Sequence, residues 1–311
     1  MFKYITKRVV ISFLTLLAIL LVLFLMLELM PGSPFNDEKL TSSQLALLNA
    51  KYGLSDPVFI RFFRYVANMF QGDFGVSYVI NKNKAVSALI SGPLSLSIRI
   101  GAMAMVVGSI LGLILGVVAA LNHNTWIDTT CSLISIVGVS VPSYVFALVL
   151  MYYIGFKLGW TPILYATKNP ESSMILPVLA LSMFPLANVS RFTRSELIDV
   201  LGSDYIQLVK AKGVKQTGMI LNHALRNALI PIVTIMGPLL VNLLTGSMVV
   251  EKVFGIPGIG MLMVQAIQNN DYNVVIACAF IYSALYIFVM LIVDILYGFI
   301  DPRIRVAKEG S

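Results

Sequence analysis

The chain has 311 residues, 58% hydrophobic and 12% charged, with a formal net charge of +7 and a mean hydropathy of +0.87. A soluble domain of this size needs about twice that charged fraction to cover its surface, so the composition excludes one. Lysines and arginines flanking apolar runs account for the positive balance, which removes the case for a nucleic-acid partner.

Several apolar stretches run past the roughly 18 residues that mark a membrane-crossing helix. Six such helices are expected, near 9–30, 96–121, 129–157, 174–191, 228–250 and 274–299. The fold class is therefore an all-α polytopic membrane protein. It divides into an N-terminal span (1–30), an extracytoplasmic loop with structure of its own (31–95) and a membrane core (96–311). The first stretch exceeds the roughly 7–15 residues of a signal-peptide core, and "ELMPGSP" offers no small-x-small cleavage site, so it is expected to stay as an anchor.

In the outer loop "TSSQLALLNAKYG" reads as a short helix with a serine cap and Gly53 just past its end. A second helix follows in "SDPVFIRFFRYVANMFQGD", with Asp56 capping and Pro57 at the first helical position. Its Phe59, Phe62, Phe63 and Phe70 are spaced along one side, with Arg61 and Arg64 offset from it. Two readings stay open here: a helix lying on the membrane surface, or a platform on which an external partner docks.

Within the core, Gly108, Gly112 and Gly116 recur at four-residue spacing, a small-xxx-small ridge that admits a close helix neighbour. Pro142, Pro177, Pro185, Pro231 and Pro238 interrupt three spans, as expected of bent helices around a path, with Pro142, Pro231 and Pro238 the candidate hinges. Cys131 and Cys278 lie inside apolar runs and read as small core residues. Arg99, near the outer start of the second span, is expected to snorkel to headgroups.

The loop 192–227 departs from its surroundings: it carries Arg194, Lys210, Lys212, Lys215 and Arg226 between two apolar spans. It shares a side with Lys3, Lys7 and Arg8 before the first span and Arg303, Arg305 and Lys308 after the last. The positive-inside rule therefore puts this loop and both termini in the cytoplasm. Ser203 and Asp204 can cap a short helix that Gly213 ends, and a second helical run leads from Lys215 into the fifth span near Pro231. Ile206, Val209 and Lys210 fall on one side of the first piece, Leu208 and Ala211 near another. The segment reads either as a basic helix held on anionic headgroups or as a helix pair fitting a groove on a cytosolic protein.

No G-x-x-x-x-G-K-[ST] phosphate loop occurs, so ATP-driven work needs another chain. Glu28, Glu251 and Asp271 sit at span edges, where they do not suit an ion path. Asp294 is deeper, and a structural and a transport role both stay open for it. His123 and His223 have no neighbour at metal-ligand spacing, and His223 belongs to the recognition surface of the loop. No nucleophile with a base is present, and the chain is not expected to be an enzyme.

"DYIQLVKAKGV" followed by "HALRNALIPIVT" resembles the cytoplasmic coupling loop of peptide-type ABC importer permeases. In the general pattern E-A-A precedes a glycine and I-x-L-P follows; Gly213 matches the glycine, while Gln207, Leu208 and Val209 stand in place of E-A-A. The long spacing to Pro231 is similar to the oligopeptide/dipeptide branch. So are "MPGSPF", "KYGLSDP", "GDFGVSY", "SVPSYVFAL", "VVEKVFGIPGIGMLMVQAI" and "VDILYGFIDPRIR", in that order along nearly the whole chain. The resemblance implies a multi-pass permease of a bacterial cell membrane with no cofactor of its own. Its partners would be a second, homologous permease, two cytosolic ATPases that bind ATP and Mg, and an external binding protein that delivers peptide. It further implies that Tyr205, Gln207, Leu208, Ala211, Lys212, Gly213 and His223 meet the ATPases, while for Phe59, Phe62 and Phe63 docking of an external partner and a membrane interface both stay open. Related importers carry nickel, glutathione or other small solutes, so those cargoes stay open. An ion-coupled secondary carrier and a sensor or scaffold are the alternatives from other classes.

Overall fold

A computed structural model of the protein describes residues 2–29 and 55–300, together with Ser43, Leu47 and Ala50; for 2–5, 230 and 294–300 it describes the backbone alone. Among the described residues it is helical, with no strand beyond a single bridge between Val76 and Ala85. The helix expected over 41–53 falls mostly outside the described residues.

Helix α1 (Phe2–Leu29) contains neither glycine nor proline and is apolar on nearly every face. At 1.5 Å per residue its length exceeds a bilayer core of about 30 Å. Helix α2 (Val58–Phe70) starts one residue later than expected, with Pro57 as its N-cap. The Asp56 carboxylate makes no cap there; it pairs with Arg64 at 2.8 Å. Helix α3 (Val86–Leu121) begins well before the expected start and carries Pro93 inside it.

The span expected over 129–157 is not one rod. Helix α4 (Trp126–Ser140) and helix α5 (Ser143–Leu150), which runs on as a π-helical turn (Met151–Lys157), meet at 104°. The cause is local. Proline fixes its own φ and pushes its predecessor out of the helical region, and Val141 is extended (φ −86, ψ 124) ahead of Pro142.

Helix α6 (Pro170–Leu201) has proline at its first position and absorbs Pro177 and Pro185, so it outruns the expected 174–191 at both ends. Helix α7 (Asp204–Ala211) follows the Gly202 turn. A helical turn (Gln216–Gly218) and a π-helical turn (Met219–Ala224) then lead into helix α8 (Leu225–Leu244), with a 52° bend at Pro231. Helix α8 stops before the expected end at 250. Gly246 turns the chain at positive φ into helix α9 (Met248–Phe254), which ends on left-handed Gly255. Helix α10 (Ile259–Gln268) and helix α11 (Tyr272–Ile300) complete the described residues. By length and composition the described residues hold four to seven candidate spans, depending on whether each bent pair counts as one. Asp294 lies in α11, and its side chain is outside the described residues.

The chain divides into two compact units, Met1–Ser97 with Pro257–Leu291 and Ile98–Ile256 with Ile292–Ser311. In the first, Leu16, Leu20, Phe24 and Leu27 of α1 pack with Phe62 and Met69 of α2, Val86 of α3, Ile259 of α10 and Val274 of α11. The helix containing Phe62 thus packs along α1, with Arg61 on Glu28 at 3.0 Å and Phe70 against Phe13. The fully buried Asp271, just before α11, accepts hydrogen bonds from the Ser77 hydroxyl and from the amides of Tyr78, Val79 and Ile80, each at 3.1 Å. Asn273 Nδ2 donates to Val76 O at 2.8 Å, and the Tyr65 hydroxyl donates to Asn273 O at 3.0 Å. Burial pushes the Tyr65 phenol well above its ordinary pKa, so it stays a donor.

In the second unit α6 is the central helix and the most buried of the long ones. The expected glycine ridge is real and faces it. A Cβ on Gly108, Gly112 or Gly116 would stand 2.5–2.6 Å from the carbonyl oxygens of Ser182, Leu186 and Ser190, successive turns of α6. Only glycine allows that approach, and α3 and α6 therefore run parallel in near-backbone contact. On another side of α6, Ser135 of α4 donates to Ser190 Oγ at 2.9 Å, and Gly138 abuts Ala187. Arg99, expected to snorkel to headgroups, is half-exposed and pairs with Glu171 at the start of α6.

Candidate functional site

The loop between α6 and α8 is built by a few local rules. Helix α6 ends at Gly202, and Ser203 turns extended (φ −77, ψ 151). Its hydroxyl donates back to Val200 O instead of capping α7, which corrects the expected serine cap. Asp204 lies in the first turn and Lys210 in the last, each at the helix end its charge favours. Gly213 adopts φ +75, and a Cβ added to it would meet no atom within 4 Å, so glycine is required for its backbone angle and not for space.

One residue of α7 is buried. Ile206 is fully buried, in one cluster with Ala120 at the end of α3, Leu197 of α6, Met219, Ile220 and Ala224 of the π-helical turn, and Ala228 of α8. Burying a side chain of that size is worth roughly 1.5–3 kcal/mol. This knob seats the short helix on the ends of three long ones. Val209 is half-buried beside it, and Lys210, one turn on from Ile206, is exposed.

The named recognition residues all lie outside that core. Tyr205, Gln207, Leu208, Ala211, Lys212 and Gly213 are exposed, and so is His223 on the π-helical turn. The Tyr205 hydroxyl accepts from Asn227 Nδ2 at 2.7 Å, which ties α7 to α8. Leu208, 58% exposed, Val214 and Leu221 put apolar surface among Lys210, Lys212, Lys215 and Arg226. An apolar centre with a charged rim is the composition of a protein-binding face.

The other named residues are placed differently. Phe62 is 5% exposed, in edge-to-face contact with Phe24, whereas Phe59 (62%) and Phe63 (68%) are open. The three therefore do not form one outer face. Pro142 sits at the 104° break, Pro231 at the 52° bend and Pro238 within α8.

Sequence reasoning missed a polar cluster at the same end of the second unit. Asp128, in the first turn of α4 and 4% exposed, accepts from Arg194 Nε at 2.6 Å and Nη2 at 2.8 Å and from the Asn124 amide at 3.0 Å. His123 Nδ1 lies 3.3 Å from the carboxylate and 3.2 Å from Arg194 Nη2. The signals available were an aspartate at a helix start and an arginine just past an expected span end, 66 residues apart with nothing local to link them.

Residues 112–306 match the family model described as binding-protein-dependent transport system inner membrane component, and residues 1–85 match the model for the N-terminal part of such membrane components. Among curated relatives, the chain is 41% identical to a dipeptide transport system permease protein, DppB, of Lactococcus lactis subsp. cremoris, over 98% of this chain and all of that one. It is 40% identical to the oligopeptide transport system permease protein OppB of Haemophilus influenzae, with the same coverage. With DppB of Bacillus subtilis it shares 37% identity over the full length of both. Among solved structures, an inward-facing MetNI methionine ABC transporter aligns with TM-score 0.57 at 16% identity, over 68% of this chain and 96% of that one. An amino acid ABC transporter aligns with TM-score 0.54 at 17% identity, over 68% and 94%. The two structures bear on the fold alone.

Proposed function

Since the chain belongs to the family of binding-protein-dependent transport system inner membrane components, we propose that it is one of two permease subunits of an ATP-driven importer whose cargo is dipeptides or oligopeptides. The observation that carries this is identity of 37–41% along the whole length with permeases named for those cargoes. A second, homologous permease completes the path, an external binding protein delivers the peptide, and two cytosolic ATPases hold the ATP and Mg. Both termini and the α6–α8 loop face the cytoplasm, which agrees with the basic residues at 191–226.

The working contact is the exposed surface of Tyr205, Gln207, Leu208, Ala211, Lys212, Gly213 and His223, seated in a groove of the ATPase. Its support is geometric: one buried isoleucine anchors α7 to the ends of α3, α6 and α8. When the ATPases close on ATP, displacement of α7 tilts those ends as a rigid-body change. The bends at Pro142 and Pro231 are the places where such tilting can be absorbed. On the outer side Phe59 and Phe63 offer an apolar patch to the binding protein, with Phe62 holding their helix in place.

The test is import of labelled peptide into vesicles holding both permeases and both ATPases, with binding protein and ATP supplied. Uptake that requires all of them is expected. Uptake driven by an ion gradient through this polypeptide alone would overturn the proposal.

A further inference from the structure

Asp128 joins two parts of the chain that carry the ends of the bundle. It lies just past the corner between α3 and α4, where Asn124 turns the chain at φ +61 and gives its amide to the carboxylate. Arg194 comes from α6, about two turns before that helix ends and passes into α7. Its Nε and Nη2 take the two carboxylate oxygens separately, at 2.6 and 2.8 Å. A forked pair of this kind fixes angle as well as distance. His123 closes the cluster from the corner, with Nδ1 within 3.2 Å of Arg194 Nη2.

The Arg99–Glu171 pair ties α3 to α6 at the opposite end of α6, far from α7. Near the α7 end α3 meets α6 through small residues, Gly116 against Ser190 and Thr193, and α7 is tied to α8 by the Tyr205–Asn227 hydrogen bond. Around Ile206 the packing is aliphatic, with Ala120 and Leu197 nearest to the corner. A push on α7 thus meets a directional link from α6 to the α3–α4 corner, and Asp128 makes it.

We propose that Asp128, Arg194 and His123 are positioning residues for energy coupling: a clamp that makes the α3–α4 corner and the last turns of α6 move as one body when α7 is displaced. The inference rests on the coupling role of α7 proposed above. It adds that motion is carried by a charged fork about two turns before the end of α6, and not by the packing of Ile206 alone.

The test uses the assembled transporter in lipid vesicles, with peptide import and ATP hydrolysis measured together. Spin labels at the exposed Thr129 and Lys215 report the corner-to-loop distance in the same preparation. Asp128→Asn alone strands a guanidinium and can simply destabilise the chain, so the deciding variant is Asp128→Asn with Arg194→Met, which removes charge from both partners. Its melting temperature is expected within about 3 °C of the parent, while peptide imported per ATP hydrolysed falls about fivefold or more and the distance distribution broadens. Arg194→Lys, which keeps the charge without the fork, lies between. A double variant with unchanged stoichiometry and an unchanged, sharp distance would overturn the clamp and leave the role of α7 standing. A parent transporter that imports no peptide would overturn the peptide reading instead, and the distance distribution then decides the clamp by itself.

Discussion

Asp128 and Asp271 are buried carboxylates, one in each compact unit, and their burial is compensated in opposite ways. Asp271 is met by the Ser77 hydroxyl and three consecutive backbone amides, from Tyr78 to Ile80. Asp128 is met by a guanidinium from a neighbouring helix and one backbone amide. Backbone donors are held by the chain itself, so the Asp271 arrangement pins residues 77–80 rigidly to the turn before α11. A side-chain partner on a separate helix links two bodies and can pass force between them. Buried aspartate therefore carries two meanings here: a staple on residues 77–80 and a joint between α4 and α6.

The largest effect is expected at the staple. Asp271→Ala removes both acceptor oxygens and so takes an acceptor from three backbone amides, at about 1–3 kcal/mol each. Proteolysis within 73–85 should rise steeply while the second unit stays protected. Protection equal to the parent would remove the distinction between staple and joint. Next comes Ile206→Ala, which empties a fully buried site at a cost of about 2–5 kcal/mol. Hydrogen exchange of α7 should accelerate, with the Asp271 loop unaffected. Gly112→Val is smaller, about 1–3 kcal/mol of overpacking, because its Cβ would meet Leu186 O at 2.5 Å and must push α3 from α6. A drop in melting temperature with normal membrane insertion is the expected readout. Gly213→Ala should be smallest, about 1–2 kcal/mol and local, since the position is open and only its positive φ resists a side chain. If it were as damaging to folding as Gly112→Val, the open surroundings of Gly213 would be wrong.

What could be read from the sequence follows a physical division. Features set by neighbours in the chain were legible: Gly213 as the end of α7, the four-residue glycine ridge and the basic helical loop between two spans. Features set by long-range pairing were not. Nothing near Asp271 announces that amides about 190 residues away will surround it, and the Asp128–Arg194 fork spans 66 residues. Pro142 was visible as a breaker, but the 104° angle depends on the extended Val141 before it. Phe59, Phe62 and Phe63 share a spacing, yet only the position of α1 decides that Phe62 is core and the other two surface. Capping failed at Asp56 and Ser203 because each side chain had a competing partner, Arg64 and the Val200 carbonyl.

The most direct measurement places a photo-crosslinking residue at Leu208 in the assembled transporter and identifies what it joins. A covalent adduct with the cytosolic ATPase is expected, in a yield that changes when ATP is bound. Adducts with lipid alone, or labelling of this position by a reagent confined to the cell exterior, would contradict it.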